Sequence, residues 1–217
     1  MPERASRVSP AVALGREVVE REARALLDMA EKIGPEFERA VTLLSECEGK
    51  VVVTGMGKSG LICRKIAATL SSLGTPALFL HAGDALHGDS GVLAEEDVVL
   101  AVSHSGETAE LLALLPLIRS AGSKIISISG NLDCSLARSA DVALCTGVGT
   151  EADPRGLAPT SSSTATLALG DALALCVAEA DGFTADDFHA FHPGGSLGKA
   201  LSRGRDNAGR PGAGAGS

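Results

Sequence analysis

Over residues 10–32 the apolar side chains Val12, Val19, Leu26 and Leu27, with Ile33 just beyond, recur at near-helical spacing. Glu17, Glu20, Arg21 and Arg24 supply a charged face, so the pattern predicts an amphipathic helix that Gly34-Pro35 ends. A second helix is predicted over 35–47, with Phe37, Val41 and Leu44 on one side. The pattern then changes to short, continuously apolar runs: 50–54, 77–80, 98–102, 124–128 and 142–145. Runs without polar alternation are strands buried on both faces. Helical stretches at 59–73, 107–121 and 133–138 separate most of them, and a long one at 161–180 follows the last. That alternation predicts right-handed βαβ units: an α/β three-layer sandwich, with a five-stranded parallel sheet between helical layers and two helices ahead of it. Pro116 lies inside the 107–121 helix and predicts a kink there.

Two hundred and seventeen residues suit one domain, and 45% apolar residues can build its core. Residues 1–9 read as a short tail and 10–203 as the domain. From 204 to 217 no apolar side chain is larger than Ala or Pro, which predicts disorder. The net charge is −8, with no basic run, no Trp, no Tyr and five Phe, which argues against a nucleic-acid partner. Cys47, Cys63, Cys134, Cys145 and Cys176 are odd in number and lack a C-x-x-C pair, so neither a disulfide framework nor a zinc knuckle is signalled. The N-terminus has no apolar segment of a signal peptide, and no apolar run is read as membrane-spanning. The expectation is a reduced, soluble, cytoplasmic protein without a membrane partner.

In an open parallel sheet, ligands bind beyond the carboxyl ends of the strands, and three unusual segments fall there. Gly55-Met56-Gly57-Lys58-Ser59-Gly60 matches G-x-G-x-x-G. A dinucleotide site would need a carboxylate near Leu80-His81, which is missing, and a phosphate-binding P-loop would need glycine at Val52. A ligand-facing turn and a plain glycine turn with a solvated Lys58 both remain open. Ser103-His104-Ser105-Gly106-Glu107-Thr108 crowds three hydroxyls onto a strand-to-helix turn, where free N–H groups and the positive helix end favour an anion. Simple N-capping by Ser105 is the alternative, and Glu110 reads equally as a first-turn carboxylate placed by the helix dipole. Glu151 precedes the hydroxyl run Thr160-Ser161-Ser162-Ser163-Thr164, which could cap the long helix or bind ligand. His81 and His87 fit no recurrent zinc spacing, so no metal is expected.

Taken together, Val53–Gly60, His87-Gly88-Asp89, Ser103–Thr108, Gly156–Ser162 and His192-Pro193-Gly194-Gly195 resemble the sugar isomerase (SIS) domain family, and within it the D-arabinose-5-phosphate isomerases. The resemblance runs over about residues 10–202. It implies aldose–ketose interconversion of arabinose 5-phosphate and ribulose 5-phosphate, the entry to Kdo and lipopolysaccharide. It also implies a homotetramer with no organic cofactor. Family members commonly continue into a tandem CBS pair that this sequence lacks. His104 and Asp84 stand where Asn and Glu are common.

By motif position the resemblance assigns catalytic roles to Lys58, Glu110, Glu151 and His192. It places Gly57, Ser59, His87, Ser103, Ser105, Thr108, Thr160 and Ser161 around the substrate. The chemistry needs ring opening, a base that moves the C2 proton to C1, and a group that steadies the enediolate. Glu151 is the expected base with Glu110 the other candidate, His192 the ring-opening acid/base, and Lys58 the stabilising cation. The resemblance also implies that His192 enters the site of a neighbouring subunit. Another phosphosugar isomerase, or a non-catalytic phosphosugar sensor, would share part of this set.

Overall fold

A computed structural model describes residues 9–192. The segment from Pro193 onward, including the 204–217 tail expected to be disordered, lies outside the described residues, as do residues 1–8. Helix α1 spans Pro10–Ala30; Ser9 accepts the N–H of Val12 at 3.3 Å, and Pro10 occupies the first turn, where its missing N–H costs nothing. Helix α2, Pro35–Ser45, also starts on a proline.

Five strands follow: β1 (Val51–Gly55), β2 (Ala77–His81), β3 (Val98–Val102), β4 (Lys124–Ser129) and β5 (Val142–Cys145). All neighbours pair in parallel, in the order β2-β1-β3-β4-β5. The connecting helices are α3 (Gly57–Ser72), α4 (Ala82–Ala85), α5 (Ala109–Ala121) and α6 (Ser135–Ser139), with α7 (Ser161–Ala180) and α8 (Ala185–Phe191) after the sheet. The short α4, the 3-10 turn Asp89–Val92 and α8 were not foreseen from the pattern. Helix α5 runs uninterrupted through Pro116.

Every residue of β1 and β3 is buried, because helices cover both faces of the sheet. On one face Val51, Val53, Leu100, Val102, Ile126 and Ile128 join Leu44 of α2, Ile66 and Leu70 of α3, and Leu169 and Leu173 of α7. On the other, Val52, Val99, Ala101 and Ile125 meet Leu111, Leu114 and Ile118 of α5 and Leu136 of α6. Contrary to the sequence expectation, α7 is long and apolar enough to cross a membrane. Its apolar surface is accounted for within the fold: half of its residues are buried, and it packs along α3, α1 and α2. Gly170 permits that approach, since a Cβ there would come within 2.4 Å of the Ile66 side chain.

The amino ends of β1 and β3 are fastened by Asp97, whose side chain is 1% exposed. Its carboxylate accepts the Lys50 ammonium at 2.7 Å, the Lys50 N–H at 3.0 Å and the Ala94 N–H at 2.8 Å. Burial pushes the carboxyl pKa up, but Lys50 and the two N–H groups outweigh it and hold it below the ordinary value. Asp97→Ala is expected to cost on the order of 2–3 kcal/mol, leaving Lys50 and two N–H groups without their acceptor. That corresponds to a melting temperature lower by roughly 5–10 °C for a domain of this size. Because the folded pKa is depressed, this stabilisation is present above about pH 4 and is lost as pH falls through the folded value. Thermal melts of wild type and variant should therefore differ at pH 7 and converge in strong acid.

Candidate active site

The strand order reverses between β1 and β3, so the helices that follow them leave on opposite faces: α3 on one side, α5 on the other. A crevice opens at the carboxyl ends of the two strands, the usual ligand position in such sheets. The glycine turn after β1 is built for close packing as much as for a ligand. A Cβ on Gly55 would lie 3.0 Å from both the Cys63 Sγ and the Val102 carbonyl, and one on Gly60 would lie 3.0 Å from the Gly55 carbonyl. Gly57 opens α3 with φ of +54°, a conformation that favours glycine. Lys58 follows in the first turn, exposed and, among the described residues, without an acidic partner. Beneath the turn, burial pushes the Cys63 thiol up to about 12 against a weaker opposing hydrogen bond, so it supplies no thiolate.

The Ser103–Thr108 turn forms the second wall. Ser103 is buried; its Oγ lies 2.8 Å from the Thr108 Oγ1 and 3.4 Å from the Ser105 Oγ, and accepts the Gly106 N–H at 3.1 Å. Gly106 has φ of +68°, and a Cβ there would fall 2.2 Å from the Cys134 Sγ, so the tight turn requires glycine. The simple capping alternative meets a different geometry. Ser105 accepts the Glu107 N–H at 3.2 Å, inside the turn, while Thr108, the N-cap of α5, makes no side-chain cap bond. The first N–H groups of α5 are thus left with hydroxyls around them and no side-chain acceptor, an arrangement that suits a phosphate. Glu107 points elsewhere: its carboxylate accepts the Ser135 N–H at 2.7 Å, and hydrogen bonds from the backbone and side chain of Ser135 lower its pKa.

Glu151 makes the third wall and closes the other helix end. Its Oε2 accepts the N–H of Thr160 at 2.8 Å, the Thr160 hydroxyl at 3.1 Å and the N–H of Ser162 at 3.1 Å, and its Oε1 accepts the Ser162 hydroxyl. Burial pushes the Glu151 pKa up, yet these four donors prevail and hold it below the ordinary value. The carboxylate is therefore ionised at neutral pH. Asp153 holds the loop in place by accepting the N–H groups of Arg155, Leu157 and Ala158.

A cavity of about 180 Å³ lies between the walls, lined by Lys58, Ser59, His104, Glu151 and Ser162, with Met56, Ile62, Pro159, Ser163 and Thr166 completing it. A larger hollow of about 360 Å³ at the α1–α2 junction and β5 is mainly apolar, from Met29 to Leu169, and gathers no such hydroxyls. Of the residues singled out from sequence, Lys58, Ser59 and Glu151 line the smaller cavity. Ser103, Ser105 and Thr108 form the adjoining cradle, and Thr160 holds Glu151. Ser161 is buried and faces a neighbouring hollow with Arg21 and Arg24. His87 and Glu110 are exposed and line neither hollow. Ser162 was singled out only as part of a motif string, and His104 only as a departure from one. Among the described residues no three His, Cys, Asp or Glu side chains cluster as metal ligands would.

His192 is not brought to this cavity within its own chain. It ends α8, its Nδ1 lies 2.9 Å from the Phe188 carbonyl oxygen, and its ring stacks on Phe188 at 4.0 Å. Phe183, just ahead of α8, packs on Gly74 before β2, at the amino edge of the sheet. Helix α7, roughly 30 Å long at 1.5 Å per residue, separates that edge from the cavity.

Comparison with known proteins gives concordant results. The family model for the SIS domain matches residues 43–176. Arabinose 5-phosphate isomerase KdsD of Escherichia coli (strain K12) is 51% identical over 187 residues, 86% of this chain and 57% of that protein. The Pseudomonas aeruginosa protein of the same name is 55% identical over 170 residues, 78% of this chain and 52% of its own. The chain thus spans a little over half the length of the curated relatives it matches. The solved structure of E. coli CFT073 c3406 in complex with A5P superposes with a TM-score of 0.81 at 43% identity, covering 86% of this chain and all of that one.

The cradle is tested by Ser105→Ala and Thr108→Ala. Each should weaken binding of a sugar phosphate by about 1–3 kcal/mol, the range for a lost bond to a charged group, and the double variant should lose more. Calorimetric affinities equal to wild type in both would place the phosphate elsewhere.

Proposed function

The chain belongs to the SIS domain family, and we propose that it is an aldose–ketose isomerase interconverting arabinose 5-phosphate and ribulose 5-phosphate. The observation that carries this reading is the open, hydroxyl-lined N-terminus of α5 beside a cavity that holds an ionised Glu151 and a Lys58 with no acidic partner among the described residues. A sensor needs the cradle alone; the added base and cation are what proton transfer demands. The KdsD relatives are named for the same reaction, and their name fits a role in supplying Kdo.

In this reading the phosphate sits on the N–H groups of α5, with Ser103, Ser105 and Thr108 donating to its oxygens. The carbonyl end reaches toward α3 and α7. Glu151 takes the C2 proton and returns it to C1 while the O2 hydroxyl proton passes to O1, so that the C1 carbonyl becomes a hydroxyl and C2 the new carbonyl. The electron pair passes through an enediolate whose developing oxygen charge faces the Lys58 ammonium. Four donors lower the basicity of Glu151 but fix its carboxylate in one orientation. Proton transfer therefore relies on stabilisation of the enediolate more than on a strong base. Ring opening falls to His192 of a neighbouring subunit, since the α7 helix separates it from its own cavity; the assembly is a homotetramer with shared sites.

Ketose formation should be seen from arabinose 5-phosphate in a panel of aldose 5- and 6-phosphates. Tight binding without any turnover would transfer the chain to the sensor class. Glu151→Gln should leave phosphate binding intact and slow exchange of the C2 deuteron on the order of a hundred- to ten-thousandfold. If exchange survives there and is lost in Glu110→Gln, the base is Glu110. Mixing inactive Glu151→Gln and His192→Ala subunits should restore activity, because some mixed sites carry neither defect. A mixture that stays inactive after subunit exchange would show that each site is built from one chain.

A further inference from the structure

His104 stands between the two serines of the cradle, is exposed, and lines the cavity opposite Lys58 and Glu151. Its ring nitrogens make no hydrogen bond to any described residue. The ring is nevertheless held in place. It lies over the α-carbon of Gly130, where a Cβ would fall 2.6 Å from its Cε1 and 2.7 Å from its Nδ1, and the Gly130 N–H donates to the His104 carbonyl at 2.8 Å. Gly130 follows the last residue of β4, so the neighbouring strand supplies the seat of the ring. An imidazole that lines a cavity and leaves its nitrogens unbonded to described residues offers a donor and an acceptor, a match for sugar hydroxyls. In the proposed reaction the phosphate would be anchored by the residues on either side of His104, with the reacting carbons toward Lys58 and Glu151.

We infer that His104 hydrogen-bonds the hydroxyls of the sugar chain between the phosphate and the reacting carbons, and so helps to select the configuration of the substrate. The inference rests on the isomerase reading of this cavity. It adds a contact from the cavity's own chain that neither the cradle nor the proton-transfer groups provide.

The test compares wild type with His104→Leu, His104→Asn and Gly130→Ala. Leu keeps bulk and removes both nitrogens, Asn restores one donor and one acceptor, and Ala at 130 crowds both the ring and the His104 carbonyl, which its Cβ would approach to 2.9 Å. His104→Leu should lower kcat/KM for arabinose 5-phosphate by about ten- to a hundredfold, as for a lost bond to a polar substrate group. It should also narrow discrimination against aldose 5-phosphates epimeric at C3 or C4, and leave inhibition by inorganic phosphate unchanged. Gly130→Ala should follow His104→Leu, and His104→Asn should recover part of the loss. Unchanged kcat/KM and discrimination in His104→Leu would overturn the inference. If wild type turns over no aldose phosphate, the isomerase reading fails by itself. His104 is then judged by calorimetric affinity for arabinose 5-phosphate, and equal affinity of wild type and His104→Leu overturns its role.

Discussion

The parallel pairing of β1 with β3 is the constraint from which the site follows. Because those two strands are adjacent while their helices leave on opposite faces, a crevice is left between the described helices at their carboxyl ends. The pairing itself depends on close approach at both ends of the strands. Asp97 ties the amino ends through Lys50 and Ala94, and Gly49 must lack a Cβ, which would sit 2.5 Å from the Asp97 Oδ1. At the carboxyl end, Gly55 and Gly60 let α3 press against β1 and β3. The glycine-rich turn that looks like a ligand loop is thus first a packing device, and Lys58 reaches the crevice because that packing places it there.

Two long helices aim their amino ends at the crevice, and the protein treats them differently. Helix α7 has its leading N–H groups taken up by Glu151, so its positive end is already neutralised. Helix α5 has no side-chain cap, since the hydroxyls of Ser103 and Thr108 are turned to each other. Of the two helix ends, α5 is therefore the one left to receive an anion in the proposed reading, at a distance from the carboxylate. The same carboxylate serves as cap and as candidate base, which explains why its pKa falls despite partial burial.

Much of this was legible in the sequence. The five apolar runs coincide with the five strands to within a residue or so, and the 161–180 helix coincides with α7, because strands covered on both faces leave no ambiguity in a βαβ chain. The cradle was legible because three hydroxyls in six residues exceed what one cap requires. The register of the Thr160–Thr164 run was not. Which hydroxyl of a helix start faces the ligand depends on where the first turn begins, and here Ser162 lines this cavity while Ser161 lines the neighbouring hollow. His104 was read only as a departure within a motif, because its seat is Gly130, 26 positions away on another strand. The separation of His192 from the cavity likewise depends on the length and direction of α7, which no local pattern states.

Net charge offers a last constraint on how this site can work. A chain of −8 repels a phosphate ester at long range, so attraction must come from groups within a few ångströms. The cradle supplies backbone N–H groups, a helix end and neutral hydroxyls, and Lys58 is the cation in the adjoining cavity. Neutral donors hold a phosphate less tightly than an arginine fork would. For a turnover catalyst that is an advantage. In the proposed reaction the phosphate would be bound equally in aldose, enediolate and ketose, so tighter binding there would slow release without lowering the barrier between them. Lys58, the one Lys or Arg among the described residues lining that cavity, would stand instead where charge changes during proton transfer, and its attraction would act on the enediolate more than on either sugar.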